Sequence, residues 1–167
     1  RDDIDITQLA AFTSDMATTK SKFSDAGLHV CGISSSLKVC DERLVEANLE
    51  EAKRTIPVAA ELGTETIRVF GGGDAERHDK PALADIGQQM MLQVLDLDGA
   101  GQFKWVFETH DNWIQSADCK LLLQRVTTPE FGALWDMGHT SRVGSEDPAD
   151  SLAALGDRVY YLHVKDA

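Results

Sequence analysis

The chain has 167 residues, enough for one domain with a sizeable core, and its 43% hydrophobic and 26% charged residues are ordinary for a globular protein in water. Acidic residues outnumber basic ones by 28 to 16, and the net charge of −12 opposes non-specific binding to nucleic acid or to an anionic membrane. No apolar run approaches the roughly 20 residues that span a bilayer, and no signal peptide is visible, although Arg1 is not a natural start.

Apolar residues at steps of three and four predict a first helix from near Thr7, with Leu9, Phe12, Met16 and Phe23 on one face and Gly27 ending it. Residues 28–34, LHVCGIS, read as a buried strand. A second helix is expected over 41–62, where Val45, Leu49, Ala52, Ile56 and Ala59 form an apolar stripe and Gly63 supplies the stop. Pro57 should bend it, because proline lacks an N–H and crowds the carbonyl of Lys53. A strand over 66–70 then runs into Gly71-Gly72-Gly73, and a third helix carries Leu83, Ile86, Met90, Val94 and Leu97. Residues 103–109, FKWVFET, form a strand, followed by a short helix with Ser116 as its N-cap. Residues 131–136, FGALWD, are the next strand. The helix after it has Pro148 in its first turn and Gly156 at its end, and 159–164, VYYLHV, is the last strand.

Five strands thus alternate with four helices, and one more helix stands in front. Strict alternation predicts a parallel sheet with helices outside it. Each unit takes about 30 residues, as in (β/α)₈ barrels of about 250. An open doubly wound sheet would stand alone at this length, whereas a closed barrel needs three more strands. No GxGxxG follows the first strand, and Gly71-Gly72-Gly73-Asp74 lacks a Lys-Ser/Thr ending, so the glycines read as a flexible turn leaving a strand. No repeat or linker divides the chain, and 1–167 is read as one domain.

Glu108, Asp136 and His163 each fall at the C-terminal end of an expected strand, the end at which parallel barrels build their sites. Period-two alternation sets Glu108 on one side with Val106 and His110, and Trp105 and Phe107 on the other. Asp136 groups with Leu134 and Gly132, away from Trp135. His163 groups with Tyr161, while Leu162 and Val164 face the helices. Taken singly, such a carboxylate is a loop cap or a solvated charge, and such a histidine is a hydrogen-bonded core residue. The shared parity points instead to one metal site. Two carboxylates and an imidazole suit Mn²⁺, Co²⁺, Mg²⁺, Fe²⁺ or Zn²⁺ without selecting among them. Cys31, Cys40 and Cys119 are odd in number and form no CxxC pair, so they read as reduced, partly buried thiols of a cytoplasmic protein.

Three segments, 106–111 (VFETHD), 134–139 (LWDMGH) and 162–166 (LHVKD), resemble the sugar phosphate isomerase/epimerase branch of the xylose-isomerase-like TIM-barrel superfamily, as does 67–73 (IRVFGGG). The resemblance covers nearly the whole chain and implies an incomplete barrel, strands three to seven of eight, with the first two strands and the last outside it. It implies that Glu108, Asp136 and His163 hold one divalent metal ion, with a fourth ligand, a Glu on the final strand, beyond Ala167. His139 matches a residue that contacts substrate oxygens. Arg68, Lys165 and Arg142 are further candidates for substrate contact, against the alternative of surface or structural ion pairs. His110 is a candidate by parity alone.

The activity so implied is isomerisation or epimerisation of a sugar, sugar phosphate or polyol through a metal-stabilised enediolate, with Glu108 as a catalytic acid/base. A dehydratase of a keto-inositol or related polyol on the same barrel is the alternative. An apurinic endonuclease would need several zinc ions and more than the five histidines present. A non-catalytic fragment with an open site and exposed sheet edges is the remaining reading. The implied partner is a small carbohydrate or polyol, without nucleic acid or membrane, and related barrels often form homodimers.

Overall fold

Short runs rich in β-branched and aromatic residues, each leading through a turn into a helix, build an alternating α/β chain. The structure is a computed structural model, and it describes residues 4–165. Strands β1 (Ile33–Lys38), β2 (Thr66–Phe70), β3 (Lys104–Glu108), β4 (Phe131–Asp136) and β5 (Val159–His163) form one sheet. All neighbours are parallel, and the order is β1-β2-β3-β4-β5. Helix α1 (Met16–Asp25) precedes β1, and α2 (Val45–Leu62), α3 (Lys80–Leu95), α4 (Ser116–Arg125) and α5 (Pro148–Leu155) fill the four connections.

Strand order decides between the two closures. A doubly wound sheet reverses direction at a switch point. Here each strand adds beside its predecessor, as in a barrel wall. The wall curls far enough for the Tyr161 hydroxyl of β5 to lie 3.0 Å from Cys31 Sγ, just before β1.

The two faces of the wall have different chemistry. Ile67, Val69, Trp105, Phe107, Phe131, Ala133 and Trp135 point outward and pack with Leu83, Met90, Met91 and Leu122 of α3 and α4. Full burial of one such aliphatic or aromatic side chain stabilises by about 1.5–3 kcal/mol. Buried Trp105 also donates its indole N–H to the Ala100 carbonyl at 3.1 Å, so no polar atom is left unpaired there. The inner face carries Arg68, Val106, Leu134, Tyr161 and His163 around a hollow of about 190 Å³.

Glycine is required at two close approaches. A Cβ on Gly71 would lie 2.1 Å from Trp113, whose indole N–H donates to the Gly72 carbonyl at 2.9 Å. The glycine turn is therefore a tight, buried seat for Trp113 and not the flexible exit expected. A Cβ on Gly132 would lie 2.3 Å from the Tyr160 ring, beside the register shift between β4 and β5.

Several boundaries differ from expectation. Thr7 lies in a 3₁₀ turn, Ile6–Gln8, and a second such turn, Ala10–Phe12, precedes α1, which starts only at Met16. Asp5 Oδ1 accepts the Thr7 N–H and hydroxyl, and the Thr13 hydroxyl bonds the Leu9 carbonyl. Such side-chain bonds compete with a continuous helix. The first strand is displaced from 28–34 to Ile33–Lys38, an alternating strand whose buried Ser35 donates to the Arg68 carbonyl at 2.6 Å. Ser116 is the first residue of α4, not its cap, and its N–H donates to Glu146 Oε1. Helix α2 runs as a single element through Pro57, whose side is exposed. Leu162 and Val164 are 49% and 76% exposed, because no helix among the described residues covers the outer face of β5. Among the described residues, no helix is long and apolar enough to cross a membrane.

Candidate metal and active site

Parallel strands in register bring their C-terminal ends to one rim. Asp136 pairs with His163, and Glu108 pairs with Leu134, two residues before Asp136 on the same face. Glutamate's extra methylene helps Glu108 reach up from its lower row. Its Oε1 lies 3.2 Å from His163 Nδ1, which in turn lies 3.7 Å from Asp136 Oδ2. One ligand atom from each of the three residues falls within 4.8 Å of the others. The sheet thus brings together the three residues expected to converge.

Glu108 and Asp136 are 3% and 0% exposed, and buried charge needs compensation. Each carboxylate has its own cation. Arg68, two residues below Phe70 on β2, gives Nη1 to Glu108 Oε2 at 2.8 Å, and its guanidinium lies 3.8 Å from the Phe70 ring centre. Lys165 Nζ lies 2.5 Å from Asp136 Oδ2. Asp136 Oδ1 accepts the His139 backbone N–H at 3.0 Å. Burial pushes the Asp136 carboxyl up, but the Lys165 ammonium, the His139 N–H and the His139 ring together outweigh burial and hold it below its ordinary value.

Asp136 Oδ2 is buried and makes no hydrogen bond of acceptable geometry. Charge faces it instead: Lys165, His139 Nδ1 at 3.4 Å and His163 Nδ1 at 3.7 Å. A buried carboxylate oxygen surrounded by cationic groups, beside a second carboxylate and an imidazole, is a donor set that fits a divalent ion.

The other expected residues separate into two groups. His139 opens a π-helical turn, His139–Val143, that the sequence pattern does not announce. Its Nδ1 lies 3.1 Å from the Thr109 carbonyl, which makes Nδ1 the protonated nitrogen. The His110 ring packs edge-on against it, with centroids 4.5 Å apart, and His110 Nδ1 meets Asp111 Oδ1 at 2.7 Å. Glu108, His110 and His139 form a second group whose ligand atoms lie within 4.8 Å of one another. Arg142 is exposed on the π turn and does not line the inner-face hollow.

Thr109 is a site residue that sequence reasoning missed. Its hydroxyl accepts the Asp136 N–H at 2.9 Å and its carbonyl orients His139, so it ties β3 to β4 directly behind the carboxylates. The sequence offers only a threonine between Glu108 and His110, and its full burial is visible in the fold alone.

A family model described as a xylose isomerase-like TIM barrel matches residues 3–167. No curated protein matches the chain by sequence. Among solved structures, the probable 3-DHS dehydratase AsbF of Bacillus anthracis is similar, with TM-score 0.73 and 21% identity over 92% of this chain and 58% of that one. A xylose isomerase-like TIM barrel protein of Mycobacterium smegmatis in complex with magnesium gives TM-score 0.75 and 19% identity, over 96% and 58%. D-allulose 3-epimerase of Methylomonas sp. in complex with D-allulose gives 0.70 and 20%, over 89% and 56%. The chain therefore spans 56–58% of the length of these three structures.

Proposed function

This chain belongs to the xylose isomerase-like TIM barrel family, and we propose that it carries most of the active site of a metal-dependent isomerase or epimerase of a sugar, sugar phosphate or polyol. The observation that supports this reading is the convergence of Glu108, Asp136 and His163 within 4.8 Å from three separate strands. These residues would hold one divalent ion; magnesium accompanies the M. smegmatis structure, and D-allulose the Methylomonas epimerase. Such an ion supplies Lewis-acid polarisation of a substrate carbonyl and a neighbouring hydroxyl.

The chain's own residues divide the remaining work. Arg68 anchors Glu108 Oε2 through Nη1 and so fixes the carboxylate plane, a positioning role that leaves the rest of its guanidinium lining the hollow where substrate would sit. Glu108 Oε1 is then aimed at the centre of the site, where a carboxylate can take and return a proton on carbon beside the carbonyl. His139 directs its Nδ1–H at Thr109, which turns Nε2, 3.4 Å from the Lys165 ammonium, toward the place of a substrate oxygen. The neutral ring accepts from a hydroxyl, and the protonated ring donates to an oxyanion. His110, packed edge-on against His139 and tilted against Phe70, would face the same substrate. The free thiols of Cys31, Cys40 and Cys119 suit a reducing cytoplasm.

The test is product analysis in D₂O with Mn²⁺ and a panel of ketoses, ketose phosphates and keto-polyols. Deuterium on the carbon beside the carbonyl, with interconversion of isomers or epimers, supports the proposal. Loss of water from the substrate would assign a dehydratase instead. Glu108→Gln should reduce turnover by at least about 10²-fold, the lower end of a general acid/base contribution. Near-normal turnover in that variant contradicts the role given to Glu108.

A further inference from the structure

The two buried carboxylates are neutralised in unlike ways. Arg68 is 18% exposed, stacked on Phe70 and hydrogen-bonded to Glu108 Oε2, so it is built into the wall. Lys165 is 48% exposed, while the Asp136 side chain it meets is 0% exposed. Its ammonium therefore reaches down from the surface onto a buried oxygen. Its stem passes Gly138, where a Cβ would stand 3.1 Å from Lys165 Cδ. The ammonium also lies 3.4 Å from His139 Nε2.

The two oxygens of Asp136 are placed differently. Oδ1 accepts the His139 backbone N–H, which is fixed by the turn. Oδ2 is the oxygen turned toward His163 Nδ1, at 3.7 Å, and so the one placed to join an ion shared by Glu108, Asp136 and His163; it is also the atom that Lys165 faces at 2.5 Å. Ligand oxygens lie roughly 2.0–2.2 Å from such ions. Two cations on one oxygen repel strongly in a buried site. A four-carbon stem that is half in water can swing away; the stacked guanidinium of Arg68 cannot do so without breaking its bond to Glu108.

On the reading that these three residues hold a divalent ion, we propose that Lys165 is a removable internal counter-ion. Its ammonium neutralises Asp136 while the ion is absent and is expelled from Oδ2 as the ion enters. Ion uptake is then a cation exchange. The released ammonium stays within reach of His139 Nε2, on the side from which a substrate oxygen approaches.

The experiment is a calorimetric Mn²⁺ titration of the full chain and of its K165M and K165R variants, with thermal melting of each ion-free protein. K165M keeps the stem and removes the charge. It should bind Mn²⁺ on the order of three- to tenfold more tightly than wild type, because no ion pair has to be broken. It should also melt lower without the ion and gain more from adding it. K165R keeps the charge and should bind within about twofold of wild type. Mn²⁺ affinity of K165M equal to or weaker than wild type overturns the counter-ion role while leaving the metal site standing. A wild-type chain that takes up no Mn²⁺ overturns the metal reading and this inference with it. Should K165M fail to fold, NMR signals of the Lys165 side chain in the wild type should shift on Mg²⁺ addition, and signals that stay in place overturn the exchange.

Discussion

On the outer face of β3 and β4, Trp105, Phe107, Ala133 and Trp135 bury apolar surface against helices, whereas the inner face of the same strands ends in Glu108 and Asp136, which bury charge. One residue of chain separates the two regimes, because successive side chains point to opposite sides. The outer face contributes stability. The inner rim holds carboxylates that must be matched by Arg68 and Lys165, an arrangement whose use lies in binding. The contrast fades along the sheet: every residue of β4 is buried, while no residue of β5 is. What the outer residues stabilise therefore depends on a helix being there to cover them.

That contrast can be broken at chosen points. Trp105→Ala should cost the most stability, about 3–5 kcal/mol, since Trp105 is fully buried and hydrogen-bonded; urea denaturation measures it, and a loss below about 1 kcal/mol would mean the outer core is not formed. Gly132→Ala should cost about 1–3 kcal/mol by forcing a methyl into the Tyr160 ring, read in the same way. An effect confined to acid is expected at Asp136. Its carboxyl pKa in the fold lies below the ordinary 3.8, so its stabilisation is present above that value and is lost as pH falls through the folded value. Asp136→Asn should remove that part of the acid limb of stability in the ion-free protein, and an unchanged limb would show that Asp136 is not held ionised. Leu162→Ser should change stability least, within about 0.5 kcal/mol, because the side chain is half in water already.

Legibility followed the same divide. β4 was readable to the residue, because Phe131 to Asp136 is an apolar run with a charged end. The parity that groups Glu108, Asp136 and His163 came from the simplest rule of strand geometry, and the register of three strands realises it. β1 was misplaced because Ser34, Ser35 and Ser36 hide a half-buried strand behind small polar residues. The start of α1 was misplaced because Thr13, Ser14 and Asp15 interrupt what looked like one apolar stripe. The partner of Arg68 was not readable either. Only the register shows that Arg68 pairs with Val106, one inner-face step below Glu108, and so comes within reach of that carboxylate. The π turn carries no periodicity of its own.

The meeting of Glu108, Asp136 and His163 is tested most directly by Mn²⁺ binding to the wild-type chain and to Glu108→Gln, Asp136→Asn and His163→Gln. One saturable ion per chain, weakened at least about tenfold by each substitution, is expected when three ligands share one ion. No saturable binding, or binding that survives all three substitutions, would contradict it.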